Sequence, residues 1–247
     1  MPNGETTPDL TSQRFPSTRW TIVCAARGQS REARQALDEL CRLYWPAVYG
    51  FIRRKGRAPA DAEDLTQGFF AELLERGSLD GVAAEKGRLR TFLLKAVTRH
   101  MINQHEKASA AKRGGGIPTI PLDTAWAEDR FSAEPGHGVT PDIEFQRQWA
   151  LRLLQQAFQT VKIEAGASGR EALFDDLKGL ISLETATAPY EEIGKKHGLS
   201  EGAVKVAAHR LRQKFREALR ALIADTVEDE TEIDDEIRYL FSVFQSP

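Results

Sequence analysis

The chain has 247 residues, with 41% hydrophobic and 28% charged side chains and a formal net charge of -2. That composition suits a folded soluble protein with one or two cores and excludes a disordered one. No apolar run approaches the length of a membrane span, and the N-terminus MPNGETTPDLTSQ lacks the basic-then-apolar order of a signal peptide, so a cytoplasmic location and no membrane partner are expected.

The two cysteines, Cys24 and Cys41, form no C-x-x-C and read as small buried hydrophobes. The five histidines include no H-E-x-x-H, and phosphate-binding or nucleophile-elbow signatures are absent. No catalytic residue, metal, cofactor or small-molecule substrate is therefore expected, and an enzyme is the least favoured reading.

In chain order, residues 1–16 are polar and read as a mobile N-terminus, with an ordered helical segment starting at Ser17 or Thr18. From Ser30 to Arg54, Leu37, Leu40, Cys41, Tyr44, Val48, Phe51 and Ile52 keep helical spacing, and Pro46 predicts a kink or restart that would divide the segment into a helix pair. The break RRKGRAP precedes a helix over about Ala60–Arg76, ADAEDLTQGFFAELLER. Leu65, Phe69 and Leu73 form its buried stripe, with Phe70 open to either face. Asp61, Asp64, Gln67 and Phe70 read either as a partner-docking face or, for the acids, as first-turn residues that serve the helix dipole.

After a turn-rich connector from Gly77 to Gly87, a basic helix begins. Between Lys86 and Arg113 there are eight Lys or Arg and one acid. Phe92, Leu93, Ala96, Val97 and Met101 supply its core face. Arg88, Arg90, Lys95, Arg99, His100, Asn103 and Lys107 read as mostly outward, a surface suited to phosphates and unstacked bases or simply to water. Gly114–Gly116 end that helix, and residues 114–139 read as an extended linker.

A second helical block follows, with Phe145, Trp149, Leu153 and Phe158 in one amphipathic stretch and Leu173, Leu177 and Leu180 in another. The block ends in a helix-turn-helix pattern: Pro189 opens a short helix, Gly198 stops it, and Ser200 caps a second helix whose stripe is Val204, Ala208, Leu211, Phe215, Leu219 and Leu222. Opposite that stripe lie Ala203, Lys205, Val206, His209, Arg210 and Arg212. Lys195 to Arg216 holds seven Lys or Arg and one acid, Glu201. Small and basic side chains leaving a tight turn fit a helix that enters the major groove, although a solvated hairpin has the same pattern. Asp225 to Glu236 then holds eight acids and no base, followed by the apolar spacing of Ile237, Leu240, Phe241 and Phe244. This acidic run is either solvated or folds back onto a basic surface or a regulator.

These segments give an all-α chain of two small helical domains, 17–113 and 140–224, joined by the flexible linker 114–139. The second contains the helix-turn-helix, and 225–247 is an acidic and apolar C-terminal extension. From the residues alone, a helix-turn-helix regulator of duplex DNA and a protein-interaction adaptor both remain open.

DAEDLTQGFFAELLE in the first block and YEEIGKKHGLSEGAVKVAAHRLRQKFREAL in the second, in that order, resemble bacterial RNA polymerase sigma factors of the extracytoplasmic-function type, over Thr18 to Thr226. The KRGGG after the basic helix and the terminal EIRYLF resemble a subgroup with a C-terminal extension. The resemblance implies a protein that directs core polymerase to promoters and aids melting, with the polymerase performing the chemistry. Asp61, Asp64, Leu65, Gln67 and Phe70 would dock on the polymerase clamp helices. Arg88, Arg90, Lys95, Arg99, His100, Asn103 and Lys107 would engage the -10 element. Ser200, Glu201, Ala203, Lys205, Val206, His209, Arg210 and Arg212 would read the -35 element, in a block that also touches the polymerase flap. An anti-sigma factor or a Ser/Thr kinase is left open as a further partner. Departures from the family pattern are Arg99 and Asn103 where Asn and Asp are common, and Gly194 and Ala203 where Ala and Thr are frequent.

Overall fold

Helical spacing of apolar residues becomes helix throughout the computed structural model, which describes residues 31–76, 88–110, 139–181, 188–227 and 229–245. The α-helices are α1 (Arg31–Arg54), α2 (Pro59–Arg76), α3 (Leu89–Ala110), α4 (Pro141–Ala167), α5 (Glu171–Leu177), α6 (Tyr190–His197), α7 (Glu201–Ala224) and α8 (Ile233–Ser242). Short 3-10 turns follow α5 (Lys178–Leu180) and precede α8 (Glu230–Glu232). Among the described residues there is no strand, as an all-α reading requires. The expected helix start at Ser17 or Thr18, Cys24, the 77–87 connector and most of the linker lie outside the described residues.

α1 is a single helix rather than the expected pair. It runs through Pro46, where the missing N–H removes one internal bond without ending the helix. Burial compensates: Leu40, Tyr44, Ala47, Val48, Phe51 and Ile52 are all buried, as are Trp45 and Tyr49, and a fully buried Leu, Val, Ile or Phe side chain contributes about 1.5–3 kcal/mol. α2 begins at Pro59, a residue suited to a first helical position. α4 is longer than its apolar stripe indicated, reaching Ala167. Thr140 caps it by accepting the Ile143 amide N–H, with Asp142 and Glu144 in its first turn.

The larger core takes residues from both sides of the linker. Tyr44, Val48, Ile52, Phe69, Leu93 and Val97 join Phe145, Trp149 and Leu153 of α4, Leu219 and Ile223 of α7, and Ile233 and Leu240 from the C-terminal extension. The Tyr44 and Phe145 rings stack at 6.3 Å. A smaller core holds Val161, Phe174, Leu177, Ile193, Val204, Ala208 and Leu211, from α4 to α7. The two long helices α4 and α7 therefore pass through both cores.

One buried ion pair fixes α1 on α4. Glu144 is fully buried, its Oε2 is 3.0 Å from Arg54 Nε, and its Oε1 accepts Gln148 Nε2–H at 2.8 Å. Close approach of the helices depends on Gly50, since a Cβ there would lie 3.1 Å from Cγ of both Glu144 and Gln148. Burial also raises the Cys41 thiol well above its usual range, with Asp38 adding to the effect, so this cysteine stays protonated.

Candidate nucleic-acid interface

The α6–α7 turn has the boundaries read from its residues. Gly198 adopts a left-handed conformation (φ +65) and donates its N–H to the Gly194 carbonyl, and Leu199 N–H follows at 2.8 Å. Ser200 caps α7 by accepting the Ala203 amide N–H at 3.2 Å. Gly194 is confined as well: a Cβ there would sit 2.6 Å from the Leu199 carbonyl oxygen. The turn is thus tight enough to explain glycine where the resemblance leads one to expect alanine.

Ser200, Glu201, Ala203, Lys205, Val206, His209, Arg210 and Arg212 are all exposed. Lys205 Nζ lies 2.7 Å from Glu201 Oε1, and this bond raises the lysine pKa. α6 is held from behind by Asp176, which accepts from Lys196 Nζ at 2.8 Å and pairs with His197 Nε2 at 2.6 Å. These bonds hold its carboxyl below the usual range. Ala203, Val206 and Arg210 also border a largely apolar cavity of about 470 Å³ against Val161, Phe174 and Leu177. Half-exposed Val206 thus provides an apolar contact beside the basic residues, the side-chain type that meets a thymine methyl.

On α3, the structure divides the seven residues read as a DNA face. Lys95, Arg99 and Asn103 are exposed at four-residue spacing, and exposed Ile102 adds an apolar member that the charge pattern did not single out. His100 and Arg90 are corrections, since both are buried. His100 Nδ1 is 2.8 Å from Glu72 Oε2, and its ring meets Phe69 edge-on at 5.7 Å. The imidazole lies on the side of α3 that packs on α2. The Lys107 side chain lies outside what is described.

Arg90 turns inward because an acid waits there. Its guanidinium engages both carboxylate oxygens of Glu236 in α8, through Nε and through Nη2 at 3.3 Å, and reaches Gln146 Oε1 at 3.4 Å. It lies 3.8 Å from the Tyr239 ring centroid and 5.6 Å from that of Trp149. Arg88, half-buried, adds a second guanidinium to the same carboxylate at 3.1 Å. Glu236, Gln146 and Tyr239 were not singled out by sequence. The available signal was the position of Glu236 between Ile233 and Leu240, on the apolar side of α8.

On α2, Asp61 and Asp64 are exposed, and Leu65 and Gln67 are half-buried, with Gln67 donating to Glu63 Oε1 at 3.2 Å. Phe70, open to either face by its spacing, takes the core side of α2 and not the docking face. It is buried, packed 5.0 Å from Phe69 in an edge contact, because the larger core reaches this side of α2. Among the described residues, no group of His, Cys, Asp and Glu is arranged to hold a metal, and no helix is long and apolar enough to cross a membrane.

Residues 40–111 match the family model of Sigma-70 region 2. Neither the curated proteins nor the solved structures give a match. The matched segment holds most of α1 and all of α2 and α3, the elements that carry the acidic and basic faces just described. Region 2 belongs to transcription initiation factors rather than to an enzyme family, and it binds core polymerase and promoter DNA. The match covers less than half of the chain and identifies residues 40–111 as similar to Sigma-70 region 2, a family that takes part in promoter recognition and melting by RNA polymerase.

Proposed function

We propose that the chain is a sigma factor of the extracytoplasmic-function type. Residues 17–113 act as the region 2 domain, 114–139 as the linker and 140–224 as a second DNA-binding domain. The observation that carries this reading is the order of two elements in one chain: a region 2 segment at 40–111, then a tight helix-turn-helix whose second helix, α7, exposes basic and small residues. Asp61, Asp64, Leu65 and Gln67 dock on the polymerase clamp. Lys95, Arg99 and Asn103, with the partly open Arg88, hold the displaced -10 strand through phosphate and base contacts. His100 and Phe70, being buried, act by shaping α3 and α2. Lys205, Val206, His209 and Arg210 face the -35 bases in the major groove. Ser200, Glu201, Ala203 and Arg212 border that surface, whose cations hold phosphates.

The test mixes purified protein with sigma-free core polymerase and a randomised promoter library, and sequences the transcripts. Starts preceded by two spaced, shared elements are the expected result, with the upstream element altered when Lys205 and Arg210 become Ala. Absence of a complex with core polymerase overturns the assignment.

A further inference from the structure

Of the acids in the C-terminal extension, Asp229, Glu230, Asp234 and Asp235 are exposed, whereas Glu236 is 1% exposed and faces two arginines of the basic helix. A buried carboxylate is a poor choice for holding α8 in place, because an apolar residue of similar volume would do so at least as well. Ile233, Leu240 and Val243 already anchor the helix. What Glu236 does is occupy the forked donors of Arg88 and Arg90, as a phosphate would. Arg88 remains partly open to solvent at 27% side-chain exposure, so the site has an accessible edge from which an anion can enter.

We infer that Arg88 and Arg90 form a binding pair for a nucleic-acid backbone phosphate, and that Glu236 fills it as an internal competitor, closing this end of α3 until a DNA strand displaces it. The inference rests on the -10 role given above to α3 and adds its regulation. The two occupants exclude each other, because Arg90 cannot reach DNA while its guanidinium is enclosed by Glu236, Gln146, Tyr239 and Trp149. A ligand that binds only the open form shifts the equilibrium toward it.

The experiment measures binding of a fluorescent single-stranded DNA of mixed sequence by anisotropy across about 50–200 mM salt. The full-length wild type is compared with Glu236→Gln and Asp234→Asn. Both variants lose one negative charge from α8, but Asp234 is exposed and pairs with Arg220. Glu236→Gln is expected to bind about tenfold more tightly at low salt. Its salt slope should steepen by about 0.7 for each phosphate contact regained, while Asp234→Asn stays within about twofold of wild type. Equal behaviour of the two variants overturns the proposal, since net charge alone then accounts for the change. In case Glu236→Gln does not fold, spin labels at Thr91→Cys and Ser242→Cys in a Cys24→Ser background report the α3–α8 distance directly. Saturating DNA should lengthen it, and an unchanged distance with DNA bound overturns the competition. Initiation with core polymerase separates the two readings: transcription without displacement of α8 removes the lock alone, whereas no polymerase complex removes the sigma assignment itself.

Discussion

Replacing Glu144 tests whether α1 and α4 are packed together in solution. Its carboxylate is fully buried, 3.0 Å from Arg54 Nε and 2.8 Å from Gln148 Nε2. Glu144→Ala removes the anionic partner of a guanidinium whose side chain is only 11% exposed, a change that costs about 3–5 kcal/mol. Glu144→Gln keeps the volume and an acceptor but loses the charge, for about 1.5–3 kcal/mol. The double variant Arg54→Met/Glu144→Leu replaces the pair with apolar groups and should be far less destabilised than Glu144→Ala, near neutral or better. Urea unfolding followed by circular dichroism gives the values. With a slope of about 3 kcal/mol/M, Glu144→Ala lowers the midpoint by about 1–1.7 M. If α1 and α4 were apart, Glu144 would be a solvated surface charge and its loss would cost about 0–1 kcal/mol. A Glu144→Ala protein within about 0.5 kcal/mol of wild type therefore refutes the packing.

Asp176→Asn should lower stability by about 1 kcal/mol at pH 7. Because the folded carboxyl is held below its unfolded value near about 3.9, its contribution is present above that pH and lost as pH falls through the folded value; the gap between variant and wild type in thermal melts should close below about pH 4, and a constant gap counts against the assignment. Gly194→Ala gains about 1 kcal/mol of helix propensity but drives a Cβ toward the Leu199 carbonyl, an overpacking cost of about 1–3 kcal/mol. Net destabilisation of up to about 2 kcal/mol is expected, and a more stable variant would show that the turn relaxes freely. Phe70→Ala should cost about 3–5 kcal/mol in urea unfolding, while Asp61→Arg/Asp64→Arg, at exposed positions near the α2 N-terminus, should cost only about 1–2 kcal/mol through the helix dipole and weaken core-polymerase capture. A thermodynamically silent Phe70→Ala would return that ring to the surface.

Short-range chemistry carried much of this structure in the chain itself. Pro189, Gly198 and Ser200 mark the ends of α6 and α7 because each meets a local backbone requirement: a fixed φ, a left-handed φ and a side-chain acceptor for a free amide. The stripe of Val204, Ala208 and Leu211 is buried for the same reason that it was periodic, and the α7 residues opposite it are exposed.

Tertiary structure alone decided what each stripe would meet. Periodicity says that α1 and α4 have apolar sides, but not that Gly50 lets those sides approach across a buried Arg54–Glu144 pair. Phe70, Arg90 and His100 sit at the borders of their stripes, where a basic or aromatic side chain turns outward or inward according to its neighbour. The neighbour of Arg90 is Glu236, 146 positions further along the chain. No local rule selects that acid from the run around it. Its position on the apolar side of α8 brings it to the guanidinium only once the helix docks, and the pairing then offsets part of the cost of burying both charges.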